Sequence, residues 1–376
     1  MKIAIIGSKG IPGSSGGVER YVDELSVRLV KLGHQVLVYC RGWYTDRKRY
    51  HGVKLVYRPT IHTKHLDTIS HTWFSMWDAL LKEKVDILHI QGVGPALLAG
   101  VAKILRPKTK IVITFHCRDS LHQKWGLISR ACLKLGERLA VKVPAATIAV
   151  SRSLQDYVYK NWQDSVYYIP NGINSLAVKK QANLLAKFNL QPNRYLLTVC
   201  RLVPHKGIHY LIQAFNKIDN NKFKLVIIGE GAFTDSYSRQ LKERAASNAN
   251  IIFTGSLDYK DLATFYQNAY LYVQPSETEG LSLSLLEAQS FGCSALVSDI
   301  DENKEAIGQY GFTFKNTNVN DLAKKISFLF SHRALVRETG VKARARVRQE
   351  YDWNKIAKQT AKLYEIVMAK NTRIKN

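Results

Sequence analysis

The sequence predicts an α/β protein of two domains, each a parallel sheet covered by helices. Three observations predict it. Short apolar runs alternate with helix-length amphipathic stretches, the runs are apolar on both faces, and the pattern restarts about halfway along the chain. Strands apolar on both faces and separated by helices mark parallel sheets. The length of 376 residues fits two domains of ordinary size, and 46% apolar residues suffice for two cores.

The strand-like runs come in order. The first set is KIAIIG (2–7), QVLVYC (35–40), VKLVYR (53–58), ILHI (87–90), KIVITFH (110–116) and ATIAVS (146–151). The second is SVYYIP (165–170), YLLTVC (195–200), KLVIIG (224–229), NIIFTG (250–255), AYLYVQPS (269–276) and SALVSD (294–299). A polar, turn-rich segment near 172–192 reads as the linker, which gives domains 1–172 and 190–351. The segment 351–370 reads as one amphipathic helix with Trp353, Ile356, Leu363, Ile366 and Val367 inward. Residues 352–376 are expected to pack back on the first domain. VGPALLAGVAKIL (93–105) is too short to span a membrane and reads as a buried helix. The start, MKIAIIGSKG, lacks the long apolar core of a secretory signal and reads as a first buried strand. Five scattered cysteines with no CxxC pair indicate reduced thiols, hence a cytoplasmic setting.

Three segments carry candidate chemistry. GSKGIPGSSGGVER (7–20) joins a strand to a helix, and Gly16 and Gly17 directly precede that helix. Such a loop lets backbone amides approach a phosphate, or it is a plain turn. Its glycines at 7, 10 and 13 do not spell the dinucleotide fingerprint G-x-G-x-x-G, and no acid ends the second strand. Arg41 at that position keeps an NADP-dependent oxidoreductase or epimerase as the alternative. In RLVPHKG (201–207), Arg201 and Lys206 follow the first strand of the second sheet, where two cations can neutralise a diphosphate. In QPSETEGLSLSLLEAQSFGCSALVSD (274–299), Glu279 sits on a loop and Glu287 on a helix that starts near Leu281. The amides of Gly280, Leu281 and Ser282 would face an anion.

Together these segments resemble family 4 of the retaining glycosyltransferases, of the GT-B fold, in which two Rossmann-like domains with parallel sheets face an interdomain cleft. Glu279 and Glu287 match the family's Glu-x7-Glu, Arg201 and Lys206 its R-x4-K, and His116 in TFHCRD its strand-end histidine. IPNGIN (169–174) and SDIDENKEAIG (298–308) fit as well, and the resemblance covers essentially the whole chain in order. It implies that Arg201 and Lys206 hold the donor diphosphate and that Glu287 holds the ribose. Glu279 with Gly280, Leu281 and Ser282 would hold the donor sugar. Gly16 and Gly17 would close over phosphates and acceptor, and Gly229, Gly231, Ser256 and Leu257 would flank the nucleotide. His116 would lie near the reaction centre. The chain departs from the family at Cys117, where relatives place Asp (Asp119 comes two later), and at Ser282, where many carry Gly or Pro. The implied reaction moves a sugar from a UDP- or GDP-sugar to a saccharide or lipid-linked saccharide, with retention by same-face attack. No His/Cys ligand cluster stands at metal spacing, so no cofactor and no required divalent metal are expected.

The formal net charge is +25, and both halves of the chain are basic. Such a field attracts polyanions, anionic lipid or phosphorylated ligands. In LISRACLKLGERLAVK (127–142), Arg130, Lys134, Arg138 and Lys142 form one helical stripe beside Leu127, Ala131, Leu135 and Leu139. Upstream stand His62, Lys64, His65, Trp73, Phe74 and Trp77. The two stretches suit peripheral docking on an anionic inner leaflet, or an ordinary helix packed on a sheet. No signature of specific nucleic-acid binding occurs.

Overall fold

The computed structural model describes the chain except for residues 14–15, 64–65, 119, 121–125, 175–181, 220–221, 232–233 and 371–376. Lys64, His65 and Asp119 therefore lie outside the described residues. The chain divides into two compact units, Met1–Gly172 with Trp353–Asn376, and Ile173–Asp352.

The first unit holds an eight-stranded sheet, ordered β3-β4-β2-β1-β5-β6-β7-β8. Its strands are β1 (Lys2–Ile6), β2 (Gln35–Arg41), β3 (Arg49–Tyr50), β4 (Val53–Arg58), β5 (Ile87–Gln91), β6 (Lys110–Phe115), β7 (Ala146–Ala149) and β8 (Tyr167–Tyr168). All pair in parallel except the β3–β4 hairpin. Its helices are α1 (Gly17–Lys31), α2 (Asp67–Trp77), α3 (Ala99–Leu105), α4 (Leu127–Lys142), α5 (Arg152–Trp162) and a terminal helix, Trp353–Ala369. The apolar spacing of α1 puts Tyr21, Val22, Leu25 and Leu29 on one buried face, in the core that the terminal helix enters with Trp353, Ile356 and Tyr364. Each buried Leu or Ile contributes roughly 2 kcal/mol of transfer free energy.

The second unit holds six strands, ordered β11-β10-β9-β12-β13-β14 and all parallel. They are β9 (Tyr195–Val199), β10 (Lys224–Ile228), β11 (Ile251–Gly255), β12 (Leu271–Gln274), β13 (Ala295–Ser298) and β14 (Phe312–Phe314). The helices are α6 (Ala182–Ala186), α7 (Ile208–Asn216), α8 (Asp235–Ala245), α9 (Tyr259–Asn268), α10 (Leu283–Ser290), α11 (Asp301–Ile307), α12 (Val319–Ser331) and α13 (Arg333–Glu350). In each sheet the strand order reverses beside the first strand, between β1 and β5 and between β9 and β12. Open sheets of this kind bind ligands at that point, beyond the carboxyl ends of the strands.

Several details depart from the sequence reading. Tyr167–Tyr168 in SVYYIP pairs with β7 and closes the edge of the first sheet, so the second set begins at Tyr195. The two-residue β3 and three-residue β14 are too short for an alternation to register. The stretch 93–105 is only partly buried: Ala96, Ala99 and Ala102 face inward, but Ile104 is 80% exposed. Ile366 of the terminal helix is exposed, because Ile356, Tyr364 and Val367 already fill the inward face.

Three histidines of the first unit, His71, His89 and His116, are pushed down by burial to about 4, 3 and 3. The unfolded chain therefore binds more protons than the native one below about pH 6.5. Stability from this source is full above that pH and is lost as pH falls towards 4. We expect the melting temperature to drop between pH 7 and pH 5, a range in which ordinary carboxylates hardly titrate. A flat melting temperature across it would exclude this linkage.

Candidate functional site

The second unit gathers most of the chemistry at the carboxyl edge of its sheet. After β9, Cys200 N–H donates to Ile228 O (3.0 Å) and Leu202 N–H to Glu230 O (2.8 Å), which ties the loop to the end of β10. A 3-10 turn over Pro204–Lys206 then leads to Gly207, which is left-handed at φ 68. A Cβ on Gly207 would lie 2.0 Å from Pro275 O, so this loop packs hard against the chain leaving β12. Glu277 N–H also donates to His205 O (2.8 Å). The two zipped loops bring Lys206 Nζ to 2.5 Å from Glu279 Oε1. Their side chains are only 15% and 8% exposed.

Arg201, from the same loop, behaves differently. It is exposed, and among the described residues its guanidinium forms no hydrogen bond or ion pair. Glu287 is buried in α10, where Tyr266 Oη donates to its Oε2 (3.3 Å). Gly280 and Leu281 are buried on the approach to α10. The helix begins at Leu283, later than expected, because Ser282 is extended and its hydroxyl caps Leu285 N–H (3.4 Å). That hydroxyl also donates to Gln274 Oε1 (2.7 Å), so the Ser282 side chain is committed to the cap and to β12. Gly229 adopts φ 133, and Gly231 stands two residues on, before α8. Ser256 is exposed with its N–H on Glu230 Oε1 (3.3 Å), and Leu257 is half-buried. Glu230 is a polar contact that the sequence reading missed; a lone acid after a strand carried no spacing signal.

In the first unit His116 follows β6. Its Nε2 lies 2.9 Å from Gln91 Oε1 at the end of β5, and the Tyr21 ring meets it edge-on at 4.9 Å. Gly16 is exposed at φ 100, and a Cβ there would sit 2.5 Å from Glu19 Oε2. Gly17 opens α1. Glu19 in that first turn accepts from Lys9 N–H (3.1 Å), which steadies the glycine loop from behind. Arg41 is not free to grip a ribose phosphate. It is buried against Asp67 (3.1 Å) and Thr68 Oγ1 (3.1 Å), which removes the residue on which the NADP alternative stood.

The basic stripe is only partly solvent-facing. Gly136, Glu137, Ala140 and Val141 turn inward, and Glu137 accepts from Ser120 Oγ (2.7 Å) and Tyr157 Oη (3.0 Å). Arg130 is half-buried and Lys142 pairs with Asp164 (3.1 Å). Lys134 and Arg138 are exposed, as are Leu127 (84%) and Ile128 (83%). Trp73, Phe74 and Trp77 of α2 are exposed as well. Among the described residues, no helix is long and apolar enough to cross a membrane.

One Asp-x-Asp stands in the sequence, Asp299-Ile300-Asp301. Asp299 accepts from Asn316 N–H (2.9 Å) and Asp301 pairs with Lys304 (2.8 Å). Among the described residues no three His, Cys, Asp or Glu side chains group as metal ligands.

Comparison with known proteins agrees with this architecture. Residues 15–175 match the family described as Glycosyltransferase Family 4, and residues 181–346 match Glycosyl transferases group 1. The chain belongs to glycosyltransferase family 4 and has the GT-B fold. It is a glycosyltransferase related to enzymes of O-antigen and glycosylphosphatidylinositol biosynthesis. It is 24% identical to the gpi3 subunit of phosphatidylinositol N-acetylglucosaminyltransferase from Schizosaccharomyces pombe, over 95% of this chain and 79% of that one. It is 25% identical to the O-antigen biosynthesis glycosyltransferase WclY from Escherichia coli, over 67% and 71%. The crystal structure of HepE from Anabaena, in complex with UDP and glucose, superposes with a TM-score of 0.80 at 17% identity over 97% and 99%.

Proposed function

We propose that this chain is a retaining glycosyltransferase that moves a sugar from a UDP- or GDP-sugar to a saccharide or lipid-linked saccharide in cell-envelope polysaccharide or glycolipid synthesis. The observation that carries it is the buried Lys206–Glu279 pair at the ends of β9 and β12, with Arg201, exposed and without an ion pair among the described residues, on the same loop. Lys206 and Arg201 take the diphosphate, and the amides of Gly280, Leu281 and Ser282 add the positive end of α10. Glu279 takes hydroxyls of the donor sugar and Glu287 those of the ribose. Gly229, Gly231, Ser256 and Leu257 flank the nucleotide. His116, Gly16 and Gly17 of the first unit serve the acceptor side.

The chemistry follows from charge. The bond from the anomeric carbon to the diphosphate oxygen breaks, and negative charge collects on the nucleotide. Fixed cations and helix amides aimed at that charge lower the barrier without reorganising. The acceptor oxygen bonds to the anomeric carbon on the face that the phosphate leaves, and its proton passes to a phosphate oxygen. Lys206 and Arg201 supply the positive charge that a divalent cation would otherwise bring, so the reaction proceeds in chelator. Product release from a panel of UDP-, GDP- and dTDP-sugars, with and without chelator, tests the reading; no transfer or donor hydrolysis from any of them refutes it.

The exposed Leu127 and Ile128 beside Lys134 and Arg138, with the aromatic face of α2, favour reversible docking on an anionic leaflet. Each such basic residue contributes about 1 kcal/mol near a charged bilayer. Lys134→Ala with Arg138→Ala should therefore weaken co-sedimentation with phosphatidylserine vesicles about thirtyfold. Equal binding by the double variant would remove α4 from the docking face.

A further inference from the structure

The structure leaves one buried side chain beside His116 unexplained. Strands β5 and β6 carry two polar rungs at the same offset on one face of the sheet. His89 Nε2 meets Thr114 Oγ1 at 2.7 Å, and two residues on, Gln91 Oε1 meets His116 Nε2 at 2.9 Å. The parallel register pairs Gln91 with Thr114, and Gly92 N–H donates to Thr114 O (2.9 Å), so the backbone holds both strands in step up to the second rung. The first rung is anchored from the terminal helix by Tyr364 Oη, 2.7 Å from His89 Nδ1. Tyr21 of α1 closes on the His116 ring.

Packing alone does not account for a glutamine here. Gln91 is 2% exposed, and its amide nitrogen is buried with no hydrogen-bond partner among the described residues. A leucine would fill the same space without leaving an orphaned donor, which costs roughly 1–3 kcal/mol. What the glutamine supplies that leucine cannot is an oxygen at one ring nitrogen of His116. Among the described residues Nδ1 of that ring has no such partner.

We propose that Gln91 is a positioning residue for His116: its amide oxygen accepts the Nε2 proton, so Nδ1 presents a bare lone pair to a hydroxyl of the reacting sugars. The proposal rests on the reading that His116 touches substrate. The ring then acts as a neutral hydrogen-bond acceptor of fixed orientation, the arrangement by which a partner on one imidazole nitrogen sets the role of the other. Among the described residues, the groups that face it are Gln91 and His89 from β5, Thr114 from β6, Tyr21 from α1 and, through His89, Tyr364 from the terminal helix. None of these is a carboxylate or a fixed cation, so the ring stays neutral across the working pH range.

Long-range nitrogen–proton spectra of the protein labelled in histidine, assigned with His116→Asn, read the tautomer directly at pH 7. The expected spectrum has the proton on Nε2. Gln91→Leu should lose that hydrogen-bonded signal and lower kcat about three- to tenfold, the worth of one hydrogen bond, with the donor KM little changed. Gln91→Glu should raise the pH at which the His116 ring protonates and add an acid limb to the kcat profile. Tyr364→Phe is the structural control: it should lower the melting temperature and leave the His116 tautomer and kcat alone. A proton on Nδ1 in the parent protein, or an unchanged spectrum in Gln91→Leu, overturns the proposal. Full activity in His116→Asn would refute the substrate contact itself, and the sugar-hydroxyl clause with it, while the spectra still decide whether Gln91 sets the tautomer.

Discussion

Lys206→Ala is expected to cut kcat/KM for the nucleotide-sugar donor by about 10²- to 10³-fold, the usual loss when one fixed group facing transition-state charge is removed. It should also lower stability. Glu279, 8% exposed, would lose the ammonium that faces it at 2.5 Å. Removing one partner of a buried ion pair costs about 3–5 kcal/mol. The two losses have different causes, and a double variant separates them. Lys206→Ala with Glu279→Ala removes both charges, so most of the stability should return while transfer stays low. If activity returned together with stability, Lys206 would be a structural cation and not a diphosphate contact. The pair predicts a further asymmetry. In the free protein Glu279 holds Lys206, the cation proposed for the diphosphate, so Glu279→Gln should bind free UDP or GDP several-fold more tightly while transferring sugar less well. Weaker nucleotide binding in that variant would contradict this reading of the pair.

The parts legible in sequence were those whose signal is local. Glu279 and Glu287 stand at a fixed spacing within one strand–loop–helix unit, Arg201 and Lys206 within one turn after a strand, and the strands announce themselves as apolar runs. What stayed hidden was pairing across long separations. Nothing in the sequence links Lys206 to Glu279, 73 residues away, or Arg41 to Asp67, the ion pair that closes off the dinucleotide alternative. Gln91 lies just beyond the apolar run ILHI, and its meaning appears only when β5 and β6 come into register and set it beside His116. Ser282 misled for a different reason. It caps α10 without the acid three residues later that completes a capping box, so the sequence pattern alone sets the start of the helix too early.

Gly229→Ala is expected to be among the most damaging single methyl groups that could be added to the second unit. Gly229 sits at φ 133, a backbone region open to glycine and strained for other residues. Its position allows the ends of β9 and β10 to touch: a Cβ there would lie 1.9 Å from Cys200 O, with the Cys200 carbonyl carbon at 2.9 Å. Neither atom belongs to a side chain that can swing aside. The strand must leave its φ or the loop that begins at Cys200 must move, and both carry a cost. Backbone strain and overpacking each cost about 1–3 kcal/mol, so a loss near 3 kcal/mol is reasonable. That corresponds to roughly 6–12 °C in melting temperature for a unit of this size. The displaced loop is the one that carries Arg201 and Lys206. Donor affinity should therefore fall along with stability, although Gly229 has no side chain to contribute. The same methyl at Gly92 serves as the control, since that glycine also has a positive φ (89) but a Cβ added there would meet no atom within 4 Å. Gly92→Ala bears strain alone, so its loss in melting temperature should be the smaller of the two and its donor affinity unchanged. Equal damage from both would mean that φ, and not the contact with Cys200, governs the fit of the donor loop.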